Sequence, residues 1–234
     1  MDATRIAELL HPFVGDVDNQ KLIADISTYI DILLRWNQRI NLTAIRDPEQ
    51  IVTRHFGESL FAARMLLPRH GSSLDHQEGG HNFSGRTSDQ RSIARERHHV
   101  ADVGSGAGFP GIPLKLWAPE IYLTLIESNL KKATFLRELA RTITLTNINI
   151  QDVRAETLAP ASFDLVTMRA VERLETVLPT AAELVRSAGR LALLIGAAQL
   201  DRVHALLPRW RWLTATPIPL SASRILAIAN RAGI

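Results

Sequence analysis

The stretch Val100-Ala-Asp-Val-Gly-Ser-Gly-Ala-Gly-Phe-Pro-Gly-Ile-Pro113 constrains this chain more than any other. A short, mostly apolar run leads into three glycines that alternate at Gly104, Gly106 and Gly108. The pattern is that of a buried strand entering a tight turn and then a helix. Glycine tolerates φ > 0 and carries no Cβ, so a ligand can lie directly against the main chain of such a turn. A turn of this kind belongs at the carboxyl end of a strand in an α/β sheet.

Beyond the turn, the chain keeps the alternation that such a sheet requires. Strands are predicted at Val100 to Val103, Tyr122 to Glu127, Ile148 to Ile150, Phe163 to Met168 and Gly189 to Gly196. Helices are predicted between them at Ile112 to Ala118, Leu130 to Ile143 and Val171 to Val185. Strands alternating with helices imply a mostly parallel sheet covered on both faces. The end differs, since Trp210 to Ala215 and Arg224 to Ala229 are separated by a proline-rich turn, and they are expected to pair antiparallel at the sheet edge. No internal repeat is visible.

Residues 1–69 read as a helical cap. Leu22, Ile26, Tyr29, Ile30, Leu33 and Leu34 recur at spacings of three and four, with Asp18 as the expected cap of that helix. Asp47-Pro-Glu opens a second helix running through His55 and Phe56 toward Leu60. His55, alone beside Arg54, reads as structural. Residues 70–99 carry only Leu74, Phe83, Ile93 and Ala94 as apolar side chains, too few to offset the entropy of ordering, and read as a flexible polar insertion. Five of the eight histidines lie there, at spacings that match no metal-ligand pattern, and no metal is expected. The remainder, 100–234, is the α/β core.

Composition removes several classes of function. There is no cysteine, which excludes disulfides, thiolate metal sites and a cysteine nucleophile. No run approaches the roughly 20 apolar residues of a membrane span, and Met1 to Glu8 does not have the form of a signal peptide, so a cytoplasmic protein with no membrane partner is expected. The net charge is +3, yet 23 of the 27 basic residues are arginine, the side chain suited to phosphate and to stacking on bases.

The spacing of the turn separates two cofactor classes. A dinucleotide fingerprint has G-x-G-x-x-G, whereas Gly106 and Gly108 are one residue tighter. Asp-x-Gly-x-Gly-x-Gly is the form found in methyltransferases that use S-adenosylmethionine, and Asp102 suits an ammonium or hydroxyl better than a pyrophosphate. Glu127, at the end of the second strand, stands where an acid binds ribose hydroxyls. Methylation of pyrimidine C5 needs a cysteine, which is absent. Exocyclic amines are usually handled by an Asn/Asp-Pro-Pro-aromatic turn after the fourth strand, where this chain has Thr167-Met-Arg-Ala170. A ring nitrogen such as guanine N7 already has a lone pair, needs no general base and is compatible with Arg169 at the cleft.

Asn41-Leu-Thr, Arg54-His55 with Ser59-Leu60, Asp102 to Leu114, Lys132 with Phe135-Leu136, Arg154-Ala-Glu156 and Arg169-Ala170 together resemble the RsmG (GidB) family of bacterial guanine-N7 methyltransferases. The resemblance covers nearly all the chain outside the histidine-rich segment. It implies a Rossmann-like class I methyltransferase core with an N-terminal helical cap. It also implies methyl transfer from S-adenosylmethionine to guanine N7 at position 527 of 16S rRNA, with the rRNA or the small ribosomal subunit as partner; a monomer is expected. By matching position the cofactor would contact Gly104, Phe109, Ala155, Glu156 and Arg169, with Glu127 at the ribose; Asp102, Gly106 and Gly108 complete the cradle. Arg154 and Arg169 are the expected catalytic residues. The chain departs from the family at Ile195-Gly196, where a lysine commonly precedes the glycine, at Glu58, where an aspartate is common, and in the long segment before the first strand. An RNA-binding assembly protein on the same fold and a small-molecule methyltransferase are the alternatives.

Overall fold

The computed structural model describes residues 1–67, 98–169 and 174–231. The expected polar insertion therefore lies, up to residue 97, outside the described residues. The chain opens with helices α1 (Ala3–Val14) and α2 (Gln20–Asn37). Asn19, not Asp18, caps α2: it is the last residue with extended backbone, and its Oδ1 accepts from Leu22 N at 3.0 Å. Next come α3 (Pro48–Gln50), capped by Asp47, a π-helical stretch (Ile51–Gly57) and α4 (Glu58–Leu66), which form one continuous rod. The sequence pattern anticipates this rod but not its π segment, nor α1 as a separate helix.

The core continues as β1 (His99–Val103), α5 (Gly111–Trp117), β2 (Tyr122–Ile126), α6 (Leu130–Thr142), β3 (Ile148–Gln151) and β4 (Phe163–Arg169). Then come α7 (Leu174–Leu184), β5 (Val185–Gly196), α8 (Leu200–Leu206), β6 (Arg211–Trp212), β7 (Thr216–Pro217) and β8 (Arg224–Asn230). Val185, expected at the end of a helix, instead starts β5 and pairs with Phe163 ahead of a bulge. Helix α8 is too short, at seven residues, to leave a strong periodic signal in the sequence.

The eight strands form one sheet in the order β3-β2-β1-β4-β5-β8-β6, with β7 also on β8. β1 to β5 are parallel and β8 runs antiparallel to β5; β6 pairs antiparallel with β8 across the proline-rich turn, which holds no helix. Strand side chains alternate between faces, and two apolar clusters divide accordingly. Val100, Leu165, Leu194 and Leu226 join α1, α2, α4, α5 and α6 on one face. Ala101, Val166, Leu193 and Ala227 join α7 and α8 on the other. The N-terminal helices and one sheet face thus share a single apolar cluster, and α4 is tied down at its end by Trp117 Nε1 on Leu67 O at 3.0 Å and Arg190 Nη2 on Leu66 O at 2.9 Å.

The same alternation places Asp102, Thr167 and Arg169 on the face toward the N-terminal helices. Asp102 and Thr167 are direct register partners. The glycine turn is consequently held from that side: Tyr29 donates its hydroxyl to Ala107 O, and Tyr29 stacks on Phe109 at 5.2 Å. A Cβ at Gly108 (φ +90°) would stand 2.5 Å from Tyr29 Oη and 2.7 Å from Ile112 Cδ1, whereas at Gly104 (φ +70°) it would meet nothing within 4 Å. Gly108→Ala is therefore expected to lower stability to urea by about 2–4 kcal/mol, from strain plus overpacking. Gly104→Ala should cost only about 1–2 kcal/mol, from backbone strain alone. Equal losses in the two variants would contradict this division of the turn.

Candidate functional site

The turn after β1 is built from the inside outward. Gly104 N and Ser105 N both donate to Ile126 O, at 2.9 and 3.2 Å, which locks the turn to the end of β2. Glu127, the next residue, accepts from Gly106 N at 2.9 Å through one oxygen and from Asn129 N at 2.8 Å through the other. Gly104 is exposed and Gly106 half-buried, so this stretch of main chain is open, while Gly108 and Phe109 are packed inside. The three glycines do different work: two leave room and one permits close packing.

Asp102 lies beneath this surface. It is fully buried, with Oδ1 accepting from Thr167 Oγ1 at 2.9 Å and Oδ2 from Gly111 N at 3.2 Å, where the carboxylate also meets the positive end of α5. Burial pushes its carboxyl up to about 7, against the hydrogen bonds from Thr167 and Gly111 and the charge of Arg169. Its visible contacts brace the turn.

The strand order sets where the remaining candidates stand. Arg154, Ala155 and Glu156 come after β3 in a short 3-10 turn (Ala155–Thr157), with Ala155 buried and Arg154 and Glu156 exposed. Arg169 ends β4. The glycine turn and Glu127 lie between them, since β2 and β1 separate β3 from β4. Three strand spacings put the ends of β3 and β4 roughly 14 Å apart. Arg154 and Arg169 thus flank the open turn from opposite sides.

Arg169 is the most heavily engaged of these residues. Its side chain is 9% exposed and reaches the rod α3–α4. Nη2 donates to Arg54 O at 2.6 Å and lies 3.3 Å from Glu58 Oε2, while Nη1 reaches His55 O at 3.4 Å. The guanidinium inserts into the carbonyl ladder at the π segment, and such insertions locally rearrange a helix. Nη2 also lies 3.0 Å from His55 Nδ1. Arginine only donates, so Nδ1 accepts, and the imidazole proton sits on Nε2 and is given to Thr43 Oγ1 at 2.7 Å. Burial, then the charges of Arg169, Arg224 and Arg54, drive His55 down to about 3. The neutral ring stacks on Phe109 at 4.7 Å, and Arg169 Cζ lies 5.9 Å from the same phenyl ring.

Glu58 is the residue whose weight sequence reasoning misses. Only 1% exposed, it pairs with Arg54 (Nε to Oε1, 3.2 Å), Arg169 and Arg224 (Nε to Oε2, 2.8 Å). Arg54 and Glu58 have the i, i+4 spacing of a helical ion pair, which is legible in the sequence. Arg224 has no local signal: it arrives because β8 runs antiparallel to β5 and sets Arg224 opposite Gly196. Ile195, where the resemblance led to the expectation of a lysine, is buried on the opposite face with α7 and α8. Among the described residues no group of histidines and acids is arranged to hold a metal ion, and no helix is long and apolar enough to cross a membrane.

His55 and Asp102 make opposing demands on pH. Between about pH 4 and 6.5 the unfolded chain protonates His55 and ionises Asp102, and the folded chain does the reverse. The depressed histidine makes stability rise with pH, and the raised carboxyl makes it fall. In His55→Gln the stability should therefore fall more steeply with rising pH than in the wild type. In Asp102→Asn it should rise more steeply, each slope differing by up to about 1.4 kcal/mol per pH unit. Urea unfolding at a series of pH values reads both, and slopes displaced in the same direction would contradict the assignment.

With this geometry in view, comparison with known proteins assigns the family. The sequence model of the family described as rRNA small subunit methyltransferase G (GidB) matches residues 22–75 and 88–221. The chain is 35% identical over 213 residues to the ribosomal RNA small subunit methyltransferase G of Xylella fastidiosa (strain 9a5c), covering 89% of this chain and 87% of that one. It is 34% identical over 238 residues to the protein of the same name from Xanthomonas campestris pv. campestris (strain B100), covering 98% and 99%. Among solved structures, the fold is similar to the ribosomal protein L11 methylase of Lactobacillus delbrueckii subsp. bulgaricus, with TM-score 0.56 and 15% identity over 76% of this chain and 79% of that one. It is also similar to M. jannaschii TYW2 in complex with AdoMet, with TM-score 0.50 and 18% identity over 61% and 72%. The fold is that of a Rossmann-like methyltransferase, and the chain belongs to the rRNA small subunit methyltransferase G family.

Proposed function

We propose that the protein transfers the methyl group of S-adenosylmethionine to N7 of a guanine in small-subunit ribosomal RNA, at the position 527 that the family resemblance implies, and that it works in the cytoplasm as a monomer. The observation that carries the reading is the open main chain at Gly104 and Gly106, set at the carboxyl ends of parallel strands beside Glu127. The space at Gly104 fits a ligand lying against the backbone, as the cofactor requires. Gly104, Gly106, Glu127, Ala155 and Glu156 would hold S-adenosylmethionine, with Gly108, Asp102 and Phe109 supporting the turn from beneath. When bound, the cofactor would supply a methyl group on a sulfonium sulfur that leaves as a neutral thioether.

The chain's own residues then have little proton chemistry to perform. Guanine N7 attacks with its own lone pair, so no side chain must remove a proton. Neutral His55, spent on Arg169 and Thr43, is not placed as a base. What the site contributes is position: Arg169 fixes the π segment and Phe109 against the turn, and exposed Arg154 stands across the opening to meet RNA. The absence of cysteine removes the pyrimidine-C5 alternative.

Labelled S-adenosylmethionine, incubated with small ribosomal subunits or naked ribosomal RNA from a strain lacking the enzyme, tests the reading. Label is expected in 7-methylguanine, and none in guanine at any salt concentration would refute it. Arg169→Ala is expected to lower transfer by at least about a hundredfold, since misplacing the reacting groups by an ångström costs that much. Wild-type turnover in that variant would remove Arg169 from the machinery.

A further inference from the structure

The charges around Glu58 do not balance. Three guanidinium groups, of Arg54, Arg169 and Arg224, lie within 3.3 Å of one buried carboxylate. The neighbouring groups do not redress this. His55 stays neutral, and Asp102 is raised to about 7, so it supplies only part of a negative charge near neutral pH. Nor does S-adenosylmethionine supply the missing charge, because its sulfonium and ammonium outnumber its carboxylate. A surplus of positive charge this close to a buried junction calls for an external oxyanion.

Exposure decides which guanidinium meets it. Arg169 is 9% exposed and spends its terminal nitrogens on Arg54 O, His55 and Ser59. Arg224 is 19% exposed and has Nη2 on Leu194 O at 3.3 Å. Arg54 is 52% exposed and is tethered through Nε alone. Its two terminal nitrogens have no hydrogen bond to any described residue, and a guanidinium offers such a pair of donors to two oxygens of a phosphate at once. The tether to Glu58 fixes the side chain in advance, which reduces the entropy lost on binding.

We propose that Arg54, oriented by Glu58 and backed by Arg224, seats a backbone phosphate of the RNA beside the methylated guanine. This rests on the reading that RNA is the acceptor. A cofactor carboxylate presents the same oxyanion chemistry, and the test separates the two. Affinity of wild type, Arg54→Gln and Arg54→Lys for a transcript of small-subunit ribosomal RNA is measured over a range of salt concentrations, and affinity for S-adenosylmethionine by calorimetry. For Arg54→Gln, RNA affinity is expected to drop about tenfold and the log–log salt slope to become shallower by about one, with cofactor affinity within about twofold of wild type. Arg54→Lys should keep the slope and lose only part of the affinity. An unchanged slope in Arg54→Gln overturns the proposal, and so does a tenfold loss of cofactor affinity with RNA binding intact, which would assign the oxyanion to the cofactor. If the wild type transfers no methyl to small subunits, the underlying reading fails as well; if it does and the slope is unchanged, only this inference falls.

Discussion

A carboxylate sealed between two layers of a protein must bring its counter-charges with it, and Glu58 does so from three places in the chain. Arg54 comes from its own helical rod, Arg169 from the end of β4 and Arg224 from the start of β8. Removing Glu58 would leave the buried Arg169 guanidinium uncompensated, at a cost of about 3–5 kcal/mol. The junction therefore specifies how the N-terminal helices sit on the sheet, where apolar contact alone would tolerate sliding. Its position matters because the same guanidinium that meets Glu58 also holds His55 and the π-segment carbonyls. Through Phe109, that assembly presses on the underside of the glycine turn.

The turn is thus supported from beneath by polar and aromatic contacts within the protein. Tyr29, Thr167 and Asp102 spend their polar atoms on the turn and its flanking strands, and Phe109 fills the space beneath with aromatic contacts. The open stretch is main chain at Gly104 and Gly106, held by the buried carboxylate of Glu127. That economy suits methyl transfer to a nucleophile that already has its lone pair, where holding two reactants in line contributes most of the rate.

Much of this is legible in the sequence because it is local. The strand and helix alternation, the tight spacing of Gly104, Gly106 and Gly108, the Asp47-Pro48 helix start and the lone Glu127 each obey short-range rules, and the structure has each of these features in place. The fold class and the family also rest on them. The rest is non-local. Arg224 meets Glu58 only because an antiparallel strand returns to the sheet, and nothing in Ser223-Arg-Ile-Leu signals it. The alternation of β4 is readable, yet that Arg169 is nearly consumed by the helical rod depends on the π segment, which no propensity rule anticipates. Asp102 is expected from the sequence in the cofactor cradle, and its hydrogen bonds with Thr167 and Gly111 follow from the side of the turn its strand faces, which the sequence does not give. His55 as a structural residue agrees with its neutral, doubly bonded ring, though its place against Phe109 comes only from tertiary packing.

Glu58 and Arg169 act, on these grounds, as one unit that shapes the proposed cofactor surface from behind. A double-mutant cycle of Glu58→Gln and Arg169→Gln, read as affinity for S-adenosylmethionine by calorimetry, tests that directly. Each single substitution is expected to weaken binding by about tenfold or more, and the double variant should bind no worse than the weaker single one, as for residues in one network. Independent, additive losses, or cofactor affinity untouched by Glu58→Gln, would contradict it.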